Sequence, residues 1–174
     1  NGGQNIGEVA YISGTVGAAR QSAREGVPGL AVSTGFGEDI SDYDALDYDA
    51  TVPFMVDWIE DNRAALLAGD IDLDTVTSIN VPTCVDGDVR GLVETDRQEP
   101  GDDDDDVPNA LDDADCESDV DPDGLSDVAA FMVGFATLTT VDVENAEEDP
   151  HADDSADDSA DDSADDEDSD DDEG

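Results

Sequence analysis

Lysine is absent from this chain of 174 residues, and five arginines face 51 acids, for a formal charge of −46. Without a basic patch, direct binding to DNA, RNA or an anionic lipid surface is disfavoured, because nothing neutralises the phosphates. No apolar run reaches bilayer-spanning length and nothing resembles a signal peptide, so a cytoplasmic protein with no membrane partner is expected. Histidine occurs once, at His151 inside an acidic tract, and is not expected to act as a catalytic base. Cysteine occurs twice, at Cys84 and Cys116. Without Cys-x-x-Cys spacing, a core thiol and a loop thiol are expected in preference to a disulfide or a metal site.

What is abundant is acid, and its distribution separates a disordered acidic protein or nucleic-acid mimic from adaptation to molar salt. Residues 1–150 keep 37 of the 51 acids beside all five Arg, so the part able to fold is itself strongly acidic. In dilute buffer such self-repulsion opposes compaction, whereas at ~1 M salt the screening length falls to about 3 Å. A halophilic protein is the reading that follows.

Periodicity places a helix over 16–25, with Val16, Ala19 and Ala23 on one side and Gly26 as its stop. "LAVS" at 30–33 is continuously apolar, as a buried parallel strand is. Loop, helix, turn and strand make the second half of a β-α-β crossover whose preceding strand is missing. A second helix is expected over 52–68, capped by Thr51, with Pro53 in its first turn and Gly69 at its end. Strands are expected over 78–82, 89–95 and 135–143, and a short capped helix over 126–134. The class is α/β. One domain is expected over 1–148, with a solvated acidic loop at 99–123, and the "DDSA" repeats at 149–174 form a disordered tail with too few apolar residues to fold.

The chain opens on "NGGQNIGEVAYISGT", where glycines permit close backbone approach and the following helix offers N–H groups and a dipole to an anion. Ser13 and Thr15 add hydroxyls, and Asn1 and Asn5 add amides suited to a hard divalent cation or to phosphate. Alternatively, Ser13 or Thr15 merely caps the helix and the glycines make a plain turn.

Taken together, five stretches resemble the SurE family, the survival-protein phosphatases that act as nucleotidases. "NGGQNIGEVAYISGTVGAAR" is similar to that family's Asn-x-Gly-x-Asn-x-Gly and Ser-Gly-Thr-Val-x-Ala-Ala segment. "GVPGLAVS", "INVP", "VRGLVETDRQ" and "SDVAAFMVGFATLTTV" follow in the family's order. Ile12 departs from the usual Tyr before Ser-Gly-Thr, and Thr140 from the usual Pro. The resemblance implies part of a Rossmann-like SurE fold with a C-terminal strand extension. It also implies a 5'-nucleotidase that uses a divalent metal, Mg or Mn, to remove phosphate from nucleoside monophosphates. By the same resemblance Asn1 is a metal ligand, Asn5, Ser13, Gly14 and Thr15 hold the substrate phosphate, and subunits form a homodimer or homotetramer. The family's Asp-Asp pair and metal-binding Ser have no counterpart here. The chain is therefore expected to be the C-terminal portion of a haloarchaeal-type member, inactive by itself.

Two rivals come from the acids alone. "DVDPDG" at 119–124 copies the first half of a Ca²⁺-binding EF-hand loop, but its twelfth position is Ala130 and Pro122 sits inside it. A non-enzymatic acidic interaction protein is the other. It predicts disorder at every salt concentration, whereas a halophilic enzyme gains structure as salt rises. Circular dichroism over a KCl series is expected to show helix and strand signal growing toward molar KCl, and a flat, disordered spectrum throughout would favour the interaction protein.

Overall fold

Ser13 ends one helix and starts the next. In the computed structural model, which describes residues 1–37, 46–98 and 114–144, helix α1 (Val9–Ile12) stops at Ser13, whose backbone is extended at φ −66° and ψ 123°. Its hydroxyl oxygen accepts from Val16 N at 3.2 Å and caps α2 (Gly14–Arg24). The helix therefore begins two residues before the expected 16, because a Ser cap satisfies one of its orphan N–H groups. Gly26, at φ 83°, turns the chain into β1 (Leu30–Thr34).

Among the described residues four strands form one mixed sheet in the order β1-β2-β4-β3, with β2 at Thr75–Val81, β3 at Leu92–Glu94 and β4 at Ala136–Asp142. β1 runs parallel to β2, β2 antiparallel to β4, and β3 parallel to β4. Gly2 bridges Thr34 in parallel, which sets the first residues beside β1 where a preceding strand of a β-α-β crossover would lie. β3 is shorter than the expected 89–95: before it, Arg90 N bonds Gly134 O and Gly91 takes φ 111°.

Strand alternation sorts the side chains between two layers. Ala31, Val76 and Val141 pack with Val16, Ala19 and Ala23 of α2. On the opposite face Leu30, Val32, Ile79, Val81 and Leu138 meet Phe54 and Trp58 of α3 (Tyr48–Asp61). That helix starts a turn earlier than expected and is capped by Asp47, whose carboxylate accepts from Ala50 N at 2.9 Å. Thr51 is buried within it, and its hydroxyl meets Thr34 Oγ1 at 2.7 Å and Asp47 O at 3.1 Å. Pro53 falls in the second turn, where it removes a single ladder bond. The helix expected over 52–68 is also broken at Asn62, whose amide donates to Trp58 O at 2.9 Å before α4 (Arg63–Ala68) begins. α5 (Asp127–Met132) is capped by Ser126, as expected.

The scarce arginines act as fasteners. Arg20, 8% exposed, donates to Asp142 O at 2.7 Å, and Arg24 donates to Val143 O at 2.7 Å, so α2 grips the end of β4. Arg90 donates to Val133 O at 2.9 Å and stacks 4.3 Å over Phe135. The stacking of Arg90 on Phe135 is a contact that an ammonium reproduces poorly.

Cys84 and Cys116 are joined in a disulfide, with Cα atoms 5.8 Å apart, which corrects the expectation of separate thiols. Tertiary packing does what spacing could not show: Cys116 is buried with Ile6, Val128, Phe131 and Met132, and Cys84 packs against that group. The acidic residues 99–113 and the tail fall outside the described residues. The bridge spans 32 residues, so reducing it is expected to cost about 3–4 kcal/mol by loop entropy. Denaturant titration in molar KCl with and without dithiothreitol measures this, and equal midpoints would show that the bridge adds no stability.

Candidate functional site

The opening loop lies over the carboxyl ends of β1 and β2, the position where open α/β sheets bind ligands. Here the sheet face below α2 turns from apolar to polar: Ser33, Ser78, Asn80, Thr137 and Thr139 are all buried. Asn80, 0% exposed, accepts from Asn5 N at 2.7 Å and donates to Asn5 O at 3.3 Å and to Ser78 Oγ at 3.2 Å. Gln4 Oε1 accepts from Phe36 N at 3.0 Å. Asn1 O accepts from Thr34 N at 2.9 Å, and Gly3 N donates to Thr34 O at 2.7 Å.

Past Asn5 the loop turns at Gly7, where φ is 51° and an added Cβ would stand 2.8 Å from Val128 Cγ2. Gly7 N donates to Asp127 Oδ2 at 2.9 Å, while Asp127 Oδ1 accepts from Gln98 N at 2.8 Å and Val128 N at 2.9 Å. Arg97 donates to the Tyr11 hydroxyl at 2.7 Å and lies 4.1 Å over its ring, which holds α1 from the other side.

The residues expected to hold phosphate divide into two groups. Ser13, Gly14 and Thr15 stand together at the partly open N-terminus of α2. No acid lies in that helix's first turn, nor in those of α1 and α4, whereas α3 and α5 place Asp49 and Asp127 in theirs. With no acid there, the positive end of α2 is not neutralised from within its own first turn. Asn5 is 6% exposed instead, and its amide nitrogen donates to Ser33 Oγ and, at 3.4 Å, to Gly3 O. Those bonds give it a part in holding the loop.

Asn1, the expected metal ligand, is exposed at the outer edge of β1. A hard divalent cation takes about six oxygen donors, usually with carboxylates among them. Among the described residues no three His, Cys, Asp or Glu side chains converge on one point. The described residues do not by themselves fit such an ion. Asn80, Asp127 and Arg97 were not singled out by sequence reasoning. The available signal was a carboxamide or carboxylate inside an otherwise apolar stretch, in "SINVP" and "SDVAAF". Also among the described residues, no helix is long and apolar enough to cross a membrane.

Burial pushes the Asp127 carboxyl above its ordinary value of 3.8, while hydrogen bonds from Gln98, Gly7 and Val128 and the Arg97 charge pull the other way. A carboxyl raised in the folded state binds its proton there before it does in the unfolded chain. Between the raised value and 3.8, falling pH therefore favours the folded state through this group, and rising pH removes that contribution. Relative to Asp127→Asn, which does not titrate, the wild-type chain should gain stability as pH falls through this window. Denaturant unfolding of both proteins over a pH series checks the sign, and an opposite slope would mean that the hydrogen bonds outweigh burial.

The profile of the family described as Survival protein SurE matches residues 1–100. The chain is 37% identical over 92 residues to 5'-nucleotidase SurE 1 of Burkholderia lata, a match covering 53% of this chain and 32% of that protein. Its fold is similar to that of the SurE protein from Aquifex aeolicus, with a TM-score of 0.55 and 19% identity, covering 82% of this chain and 56% of that one. The chain thus spans about a third of the length of the curated relative and just over half of the solved one. A family match over more than half of the residues, on a four-stranded α/β sheet with the glycine loop at its carboxyl edge, makes this chain a member of the SurE family.

Proposed function

We propose that this chain is the phosphate-holding part of a metal-dependent 5'-nucleotidase, a phosphoric monoester hydrolase acting on nucleoside monophosphates. The observation that carries the reading is the α2 N-terminus, where Ser13, Gly14 and Thr15 stand free of acidic neighbours in the first turn. Backbone N–H groups there can hold the non-bridging oxygens of a phosphate ester, and the hydroxyls add donors. Such donors matter most when charge builds on those oxygens in the transition state.

The Mg²⁺ or Mn²⁺ implied by the resemblance would polarise the ester and activate water. Asn1 would add one amide oxygen to that ion, with the other ligands supplied by the family's Asp-Asp segment. Asn5 enters this reading through its backbone, which sets the path of the loop toward α2. A homodimer or homotetramer belongs to the same reading, as does a cytoplasmic location, against which the Cys84–Cys116 bridge weighs.

The test has a binding arm and a turnover arm, both in molar KCl. Adding AMP to the ¹⁵N-labelled chain is expected to shift the amide resonances of Gly14, Thr15 and Val16. In a protein that also carries the family's Asp-Asp segment, Ser13→Ala or Thr15→Ala should lower kcat/KM for AMP by about 10²–10³, without rescue by added Mn²⁺. Unmoved amides together with unchanged turnover would reduce Ser13 to a helix cap and overturn the reading.

A further inference from the structure

Beyond its contacts with β1, the opening loop is fastened to Asn80 at Asn5, to Asp127 at Gly7 and to Arg97 at Tyr11. The middle fastener differs in kind, because it sets an acid that is 1% exposed among backbone groups. Burying a carboxylate is costly, and for stability alone a well-packed apolar side chain often serves as well. What only a carboxylate offers is two acceptor oxygens that serve separate segments at once. Asp127 Oδ2 takes the Gly7 N–H, and Oδ1 takes those of Gln98 and Val128. The Asp127 N–H in turn donates to Asp96 O at 2.9 Å. Loop, the 96–98 segment and α5 are thereby joined at one side chain, and Asp127 is also placed in the first turn of α5, where the helix field offsets part of its cost.

Gly7 is where the direction of the chain is decided. Its turn at φ 51°, pressed against Val128, aims α1, and the four residues of α1 deliver Ser13 to the start of α2. A loosened Gly7 would let α1 swing and carry the Ser13 cap with it. We infer that Asp127 is a positioning residue: its carboxylate locks the Gly7 turn to α5 and to the 96–98 segment, and so sets where Ser13, Gly14 and Thr15 present their donors. Its consequence for phosphate rests on the function proposed above, whereas the lock itself does not.

Asp127→Asn is the discriminating variant, since an amide keeps one acceptor oxygen and turns a donor toward the other partner. Amide hydrogen exchange is measured on the ¹⁵N-labelled chain in molar KCl, together with resonance shifts on adding inorganic phosphate. The variant is expected to exchange about tenfold faster at Gly7, and also at Val16 and Gly17, whose N–H groups bond Ser13, with Gln98 and Val128 less affected. Its affinity for phosphate is expected to fall about tenfold. Phe54→Leu, which loosens α3 on the opposite face of the sheet, should lower global stability without this local pattern. If Asp127→Asn does not fold, Asp127→Ser is measured in the same way. Unchanged exchange at Gly7 overturns the inference, and so does a freed Gly7 with unchanged exchange at Val16 and Gly17. Should Gly7, Val16 and Gly17 loosen together while the wild-type chain ignores phosphate, the lock stands and the phosphate reading falls.

Discussion

The Asn80 carboxamide makes to Asn5 the pair of bonds that a neighbouring strand would make: it accepts from Asn5 N at 2.7 Å and donates to Asn5 O at 3.3 Å. A loop crossing the buried edge of a sheet has no ladder to satisfy its backbone, and each unpaired group would cost about 1–3 kcal/mol. One side chain at an inward position of β2 meets both needs of residue 5. The surrounding polar face then follows. Ser33 takes the Asn5 amide, and Ser78 accepts from Asn80. With the loop pinned there, Gly7 comes within reach of Asp127 and Tyr11 within reach of Arg97.

A charge of −46 shapes the site as much as the surface. Four of the five arginines are tied into the fold's own contacts: Arg20, Arg24 and Arg90 on backbone carbonyls and Arg97 on Tyr11. Burial lowers the tendency of Arg20 to hold its proton, as do Arg24 and Arg97, while Asp142 and Tyr11 act against them. The backbone N–H groups at the start of α2, which have no partner within the helix ladder, add a partial positive charge to the opening segment that no side chain needs to supply. The first turn of that helix carries no acid, so its positive end is not quenched from within.

Local chemistry was legible where it is decided locally. The Ser126 cap, the Gly69 stop at φ 74°, the strand at "LAVS" and the strand ending before Pro82 all follow from residues within a few positions of each other. The start of α3 was misplaced because Thr51 has the chemistry of a cap, yet its hydroxyl is satisfied by Thr34, which only the fold brings near. The disulfide was missed for the same reason. Cys84 and Cys116 carry no spacing signal, and their partnership depends on the turn before α5 folding over Ile6.

By itself, then, the sequence determined the α/β class, the acidic character of the folded part and the family, because caps, apolar periods and motif order are properties of neighbouring residues. It also placed Ser13, Gly14 and Thr15 just ahead of a helix expected from 16, which in the fold begins at Gly14. Tertiary structure alone decided that Asn5 faces inward to Ser33, that Asn80 supplies its backbone partners, and that Asp127, 120 residues from Gly7, holds the turn. Those bonds join groups distant in sequence across a buried polar layer. Whether a polar side chain is a ligand or a fastener depends on what faces it once water has been excluded.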